Sequence, residues 1–168
     1  MRRKRVYKRE HKPDARYGRV DVGRFINYIM RDGKKSIAEK IVYKAFDLVK
    51  EKTGEDPIKV FEKAVANVSP MYEVVSRRIG GANYQIPIEV RPERKFVLGA
   101  KWIIESARSV KGKPMYEKLA NELISAYKNE GTAVKKKQDM HKVAEANRAF
   151  TVFLTAGTKN VKKNIKNR

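Results

Sequence analysis

The sequence predicts a mainly α fold: a six-helix bundle carrying one exposed two-stranded β-hairpin arm between the third helix and the fourth. Three observations predict it. Apolar residues recur at i, i+3, i+4 and i+7 along most of the chain, the period that turns one helix face towards a core. That period switches to 2 between the third and fourth helices, where alternating apolar residues follow a Gly-Gly pair. Finally, 168 residues with no low-complexity linker and no internal repeat suit one domain, large enough to bury roughly 70% of its unfolded surface.

The helices follow in order. Val22, Phe25, Ile26, Ile29 and Met30 mark the first, with Asp21 as candidate N-cap and Gly33 as its stop. The second opens on a capping box, Ser36 to Glu39, and runs along Ile37, Ile41, Ala45, Leu48 and Val49 to Gly54. Asp56-Pro57 puts a good cap before a proline at the first helical position, and Val60, Phe61, Ala64, Val65 and Val68 carry the third helix to Pro70. Pro92 opens the fourth (Phe96, Ala100, Ile103, Ile104, Ala107). Pro114 opens the fifth (Leu119, Leu123, Ile124, Tyr127, stopping at Gly131), and Thr132 the sixth (Val143, Ala144, Asn147).

Between the third and fourth helices, Tyr84, Ile86, Ile88 and Val90 share one strand face, while Gln85, Pro87, Glu89 and Arg91 take the other. An earlier, less regular strand runs from Glu73 to Ile79, and Gly80 to Asn83 supplies residues that tolerate positive φ at a hairpin tip. Pro87 is admissible in a paired strand only where its missing N–H points off an edge. An isolated hairpin is marginal in water, so this one folds back on the helices or is held by a ligand. Its bases carry Arg77, Arg78, Arg91, Arg94 and Lys95. Two readings stand: a hairpin that caps the bundle, or a basic arm laid along nucleic acid.

Charge narrows the partner. Lys and Arg number 40 against 19 Asp and Glu, a net +21 with a pI near 10.2, the footprint of a polyanion binder. The excess is segregated: residues 1–36 carry 13 basic and 4 acidic side chains, residues 37–66 carry 6 and 6, residues 67–116 carry 9 and 4, and residues 117–168 carry 12 and 5. A binding surface explains that distribution better than solubility does. Residues 1–12 hold seven basic side chains against one glutamate, which suits either an arm that orders against phosphate or a solubilising tail. Lys34 and Lys35 follow Gly33 at a helix junction, where amides and ammonium groups together can grip a phosphate. This is not a P-loop, because Tyr28 stands where that motif needs glycine. Lys111 and Lys113 lie in the loop before the fifth helix. Lys135 to Lys137 open the sixth helix against its dipole, which implies an anion nearby, although a solvated helix face is an equal reading.

Other function classes find little support. There is no cysteine, hence no disulfide, thiol nucleophile or Cys-based zinc site. His11 sits in the basic arm, and His141 with Glu145 one turn on reads as a surface ion pair lacking a third metal ligand. No nucleophile elbow or working carboxylate pair is recognisable, so neither an enzyme, a cofactor, a metal nor a small-molecule substrate is expected. No run approaches the roughly 18 apolar residues of a membrane span, no membrane partner is expected, and the N-terminus lacks a secretory apolar core, which suggests a cytoplasmic protein. Most aromatic residues, Trp102 among them, fall at core spacing; Tyr7, Tyr17, Tyr84 and Tyr116 lie in basic surroundings and are candidates to stack on bases.

Three stretches then carry a resemblance: Tyr17-Gly18 through VDVGRFINYIMRDGKKSIAEKIVYKAF, DPIKVFEKAVANVSPMYEVVSRRIGGANYQIPIEVRPERK, and GTAVKKKQDMHKVAEANRAF. Over about residues 1–150 the chain resembles bacterial small-subunit ribosomal protein seven, the universal uS seven family, and SRRIGGANYQIPIEVRP is its most specific run. The resemblance implies a six-helix bundle with a protruding hairpin, and a primary rRNA binder that nucleates assembly of the small-subunit head. It implies a hairpin beside the exit-site tRNA and the mRNA path, with small-subunit proteins nine and eleven as neighbours. By position, rRNA contacts would come from Arg2, Arg3, Lys4, Arg5, Lys8, Arg9, Lys34, Lys35, Arg77, Arg78, Arg91, Arg94, Lys95, Lys113, Lys135, Lys136 and Lys137. Arg78, Gly80, Gly81, Asn83 and Tyr84 would lie nearest tRNA and mRNA. The expected organisation is a basic arm (1–16), a helical body (17–156) with its hairpin at 72–91, and a basic, mobile tail (157–168) that has no counterpart in the resemblance. On the residues alone, a DNA-architectural protein with a basic, proline-bearing β-arm remains the alternative.

Overall fold

The computed structural model describes residues 11–152, and the basic run 1–10 and the tail from 153 lie outside the described residues. The order is α1 (Val20–Ile29), α2 (Lys35–Thr53), α3 (Pro57–Val68), β1 (Tyr72–Ile79), β2 (Ala82–Glu89), α4 (Pro92–Ser109), α5 (Met115–Tyr127), α6 (Thr132–Ala146) and a short 3₁₀ turn, η1 (Arg148–Thr151). α5 is the hub: it packs on α2, α3 and α4 and buries Leu119, Ala120, Leu123 and Ala126, whose small alanines admit close neighbours. Phe25, Phe46 and Phe61 meet at the centre of this one core, with Phe61 edge-on to Phe25 at 5.0 Å and tilted against Phe46 at 5.6 Å. Burying three phenylalanines stabilises the fold by about 2 kcal/mol each in apolar area alone.

The apolar periods of α1, α3, α4 and α5 face the core as the spacing requires, and the Asp56 carboxylate accepts the Ile58 N–H at 3.0 Å as a true N-cap. Three local expectations fail. Asp21 lies inside the first turn of α1, whose cap is Arg19 without a side-chain bond. The capping box does not form: Asp32 and Gly33 both take positive φ, the tight turn starts α2 at Lys35, and Ser36 already lies within the helix. The buried stripe of α2 therefore runs Ala38, Val42, Ala45, Phe46 and Val49, and Ile37 is 52% exposed. α5 stops at Tyr127, earlier than Gly131, because Asn129 already adopts the left-handed conformation.

Side chains from neighbouring helices close several helix ends. Asn67 donates from Nδ2 to the Ala126 and Tyr127 carbonyls at 2.9 and 3.1 Å, and Lys137 Nζ donates to the Asn67 carbonyl at 2.7 Å. The buried Glu122 carboxylate accepts the Ala133 N–H at 3.1 Å, where the positive end of the α6 dipole lies. The bonds to the Tyr127 and Asn67 carbonyls and from the Ala133 N–H satisfy helix-end backbone groups, and all of them fix one helix against another. Gly99 lets α4 meet α3: a Cβ there would stand 2.8 Å from Ser69 Oγ and 3.2 Å from the Val65 carbonyl.

The packed body begins before Tyr17. Asp14 is buried, its carboxylate accepting the Arg16 and Tyr17 N–H groups and the Tyr43 hydroxyl at 2.7 Å. Burial, and next the bond to Asp14, push the Tyr43 hydroxyl up to about 12, so it remains a donor.

Candidate nucleic-acid interface

β1 and β2 pair antiparallel from Tyr72↔Glu89 to Ile79↔Ala82, leaving a two-residue turn, Gly80-Gly81, with φ of 57° and 93°. Positive φ at both central residues matches strand twist and is open to glycine at little cost. Asn83 pairs with Arg78 in the ladder, so the tip is shorter than the expected Gly80 to Asn83. A two-residue loop makes the closing pair hydrogen-bonded, and alternation then makes Val74↔Pro87 a non-hydrogen-bonded pair. Pro87 thus forfeits no ladder bond.

The hairpin is neither free nor wholly tucked in. Tyr72, Val74, Ser76, Gln85 and Pro87 line shallow grooves shared with Met140, His141, Val143 and Ala144 of α6 and with Trp102. Ile86, on the opposite face, is also fully buried, and η1 packs along β2, so mid-β2 is covered on both sides. This corrects the one-sided burial expected from alternation, with Pro87 on its polar face. Sequence periodicity reads which residues share a face, and it is blind to a second layer supplied some 60 residues later. The base is latched three ways: Met71 N–H donates to His141 Nε2 at 3.0 Å, Met71 accepts the Val90 N–H at 2.9 Å, and Arg94 bonds Glu73 at 3.2 Å. His141 thus serves the hairpin base in place of the expected pair with Glu145. Burial, and secondly the charge of Lys137, lower its pKa, keeping Nε2 able to accept.

Past the latch, Arg77, Arg78, Gly80, Gly81 and Asn83 are exposed, and neither arginine forms an ion pair among the described residues. Arg91 is exposed at the start of α4, Lys95 is half-buried, and Arg94 is held by Glu73. Arg91, Arg94 and Lys95 form one basic cluster at the N-terminal end of α4, and Arg77 and Arg78 lie five and six ladder positions farther out along the hairpin. A second lies at the other end. Lys34, Arg31 and Arg108 share a groove with Ile37, Ile41 and Met115, and Lys113 is exposed in the adjoining loop. Arg108 Nη2 donates to the Ile29 carbonyl at 2.9 Å; its pKa is lowered by burial first and by Arg31 second. α4 has 18 residues, so about 27 Å separates the clusters along its axis.

Arg31 and Arg108 escaped the sequence reading because they are 77 positions apart and isolated in the chain. The one available signal was Arg31 beside the Gly33-Lys34-Lys35 turn. Lys34 and Lys35 lie 3.9 Å from Asp32 and 3.7 Å from Glu39, exposed pairs worth under about 1 kcal/mol and easily exchanged for phosphate.

The α6 lysines diverge. Lys135 is exposed, Lys136 bonds Glu105 at 3.0 Å, and Lys137 is spent on the Asn67 carbonyl, its pKa lowered by burial. The anion that their position against the dipole implied is Glu122 of the same chain. The expected base-stacking residues are occupied as well. Tyr17 packs on Phe46 at 5.5 Å, Tyr84 on Phe150 at 5.2 Å, and Tyr116 takes Lys44 over its ring at 5.5 Å. Arg2, Arg3, Lys4, Arg5, Lys8, Arg9 and Tyr7 lie outside the described residues. Among the described residues no three His, Asp or Glu converge as a metal site, and no helix is long and apolar enough to cross a membrane.

A model of the Ribosomal protein S7p/S5e family matches residues 1–148. The small ribosomal subunit protein uS7 of Thermotoga maritima is 58% identical over 153 residues, spanning 91% of this chain and 99% of that one. Its counterparts in Fervidobacterium nodosum and Moorella thermoacetica are 58% and 56% identical, covering 91% and 90% of this chain and 99% and 97% of theirs. The chain therefore belongs to the Ribosomal protein S7p/S5e family, structural components of the small ribosomal subunit rather than enzymes.

Proposed function

We propose that this chain is a primary rRNA-binding protein that nucleates assembly of the small-subunit head, with its hairpin directed at the exit-site tRNA and the mRNA path. The observation that carries this reading is the pair of exposed basic clusters held about 27 Å apart by one rigid helix. A folded RNA junction can present phosphates to both ends at once, in fixed relative positions, while a small anion reaches only one end. The proposed rRNA contacts are Arg31, Lys34, Lys35, Arg91, Lys95, Arg108, Lys113 and Lys135, with Arg2, Arg3, Lys4, Arg5, Lys8 and Arg9 added; Arg77, Arg78, Gly80, Gly81 and Asn83 face tRNA and mRNA. Arg94, Lys136 and Lys137 support the frame. Small-subunit proteins nine and eleven are the proposed neighbours, in a cytoplasmic ribosome.

The DNA-bending alternative needs an apolar wedge at the tip of the arm to part base steps. Here the tip is Gly80-Gly81 and the proline is buried mid-strand, so that reading loses its main support. A competition between a folded head fragment of small-subunit rRNA and duplex DNA, at moderate salt, tests the choice. Preference for the rRNA fragment is expected; preference for the duplex overturns the assignment.

A further inference from the structure

A groove of about 260 Å³ runs between the end of α1, the first turns of α2, the end of α4 and the start of α5. Ile37, Ile41 and Met115 supply its apolar surface, and Arg31, Lys34 and Arg108 its charge. Ile37 and Ile41 stand one turn apart on α2, off the stripe that faces the core, and Ile37 is 52% exposed. The cations are short of partners. Neither Arg31 nor Arg108 forms an ion pair among the described residues, and Glu105, the carboxylate nearest in effect to Arg108, is bonded to Lys136 at 3.0 Å. Arg108 donates one N–H to the Ile29 carbonyl at 2.9 Å, which orients the guanidinium and leaves its other donors for an acceptor outside the chain. Burial, and then the charge of Arg31, lower the pKa of Arg108, and an anion held between the two guanidinium groups would relieve that repulsion.

The pairing of apolar surface with unanswered charge limits the occupant. A lone phosphate satisfies the arginines but leaves Ile37 in water. An A-form duplex turns phosphates and riboses outward, while its base faces are covered by their neighbours. An unstacked nucleotide offers both parts, an anionic phosphate and a flat, largely apolar base. The groove is smaller than the roughly 300–1,000 Å³ of a site for a drug-sized ligand, which suits a single base. We propose that this groove holds one nucleotide of the rRNA splayed out of its helix, the base against Ile37, Ile41 and Met115 and its phosphate between Arg31 and Arg108. This rests on the reading that the chain binds folded rRNA, and it adds a contact that salt does not screen. A net charge of +21 favours RNA over an acidic, aliphatic peptide as the occupant.

The test titrates the native chain, Ile37→Ser and Arg31→Gln with the folded head fragment between about 50 and 200 mM salt. The native and Ile37→Ser titrations are repeated with fragments in which one nucleotide at a time is made abasic. Ile37 is half exposed, so covering it contributes about half of a full isoleucine burial, and Ile37→Ser should weaken binding about 5- to 10-fold, by the same factor at every salt concentration. Arg31→Gln should instead flatten the salt slope by about 0.7 to 0.9, one phosphate. One abasic position should weaken binding to the native chain by a similar factor and to Ile37→Ser hardly at all, because both changes remove the same contact. Native affinity in the Ile37→Ser chain, or the lack of any abasic position whose effect that variant masks, overturns the proposal and leaves the groove to phosphate alone or to an acidic peptide. The abasic series on the native chain involves no variant, so tolerance of every abasic position overturns the proposal even where Ile37→Ser lowers stability. A native chain that ignores the intact fragment sinks the proposed function, whereas one that binds it with a steep salt slope and tolerates every abasic position sinks only this inference.

Discussion

Replacing Lys137 with Met removes an ammonium that donates to the Asn67 carbonyl at 2.7 Å while keeping the apolar stem that crosses from α6 to α3. A hydrogen bond from a charged donor contributes about 1.5–3 kcal/mol, and the carbonyl left behind at the end of α3 loses its partner. Since Met retains most of the packing, the expected loss is about 2 kcal/mol, or roughly 4–8 °C in Tm for a chain of this length. Lys135→Met, two residues away on an exposed position, should leave Tm within about 1 °C, because nothing among the described residues holds that side chain. The two variants should exchange places in RNA binding. Lys135→Met should flatten the salt slope for the folded head fragment by about 0.7 to 0.9, one phosphate, while Lys137→Met, assayed well below its Tm, should leave that slope unchanged. Urea denaturation and a salt-titrated binding series on both proteins are sufficient. A Lys137→Met protein of native stability but reduced salt slope would refute the division of α6 lysines into one that binds outward and one that binds the frame.

Two further outcomes follow from the same geometry. His141 accepts the Met71 N–H only when Nε2 is unprotonated, and its folded pKa lies below the ordinary 6.5. The unfolded chain therefore binds the proton first as pH falls: the stabilisation is fully present above about 6.5 and is lost as pH drops towards the lowered folded value. A stability profile from about pH 7.5 to 5.5 should fall more steeply for the native chain than for His141→Gln, whose amide oxygen accepts at any pH; parallel profiles would exclude this role. Gly99→Ala gains up to about 1 kcal/mol of helix propensity but forces a Cβ to 2.8 Å from Ser69 Oγ and 3.2 Å from the Val65 carbonyl, so a net loss of about 1–2 kcal/mol is expected by denaturation. A stabilised Gly99→Ala protein would show that α3 and α4 can separate at no cost.

The helices were legible wherever local chemistry and burial agreed. Asp56-Pro57 is a cap and a start in any context, and the apolar period from Val60 to Val68 leaves one face to bury. α2 was misread at its first turn because Ser36 to Glu39 has the composition of a cap, whereas the positive φ of Asp32 and Gly33 had already turned the chain. That choice lies in the α1 to α2 junction and outside the four residues of the motif. The basic residues show the same limit. Composition announces that a polyanion is bound, but only tertiary pairing separates Lys135 from Lys137, or brings Arg31 to Arg108. A run of like charges is a statement about a chain, and an interface is a statement about a surface.

The internal bonds of Lys137, Glu122, Arg94 and His141 also bear on how RNA is read. A cluster of mobile cations binds any polyanion, with affinity set by charge count. Specificity for one folded RNA requires that the distance between clusters resist change, since a frame that flexed by several ångströms would accept many phosphate layouts. Here α4 sets the separation, α6 is pinned to α3 and α5 at its start, and His141 on α6 holds the hairpin base. Charges spent inside the molecule thus sharpen what the remaining exposed charges recognise. On the proposed reading, the basic side chains then divide into two unequal parts: exposed cations left for phosphate, and a smaller set whose internal bonds hold the frame that spaces them.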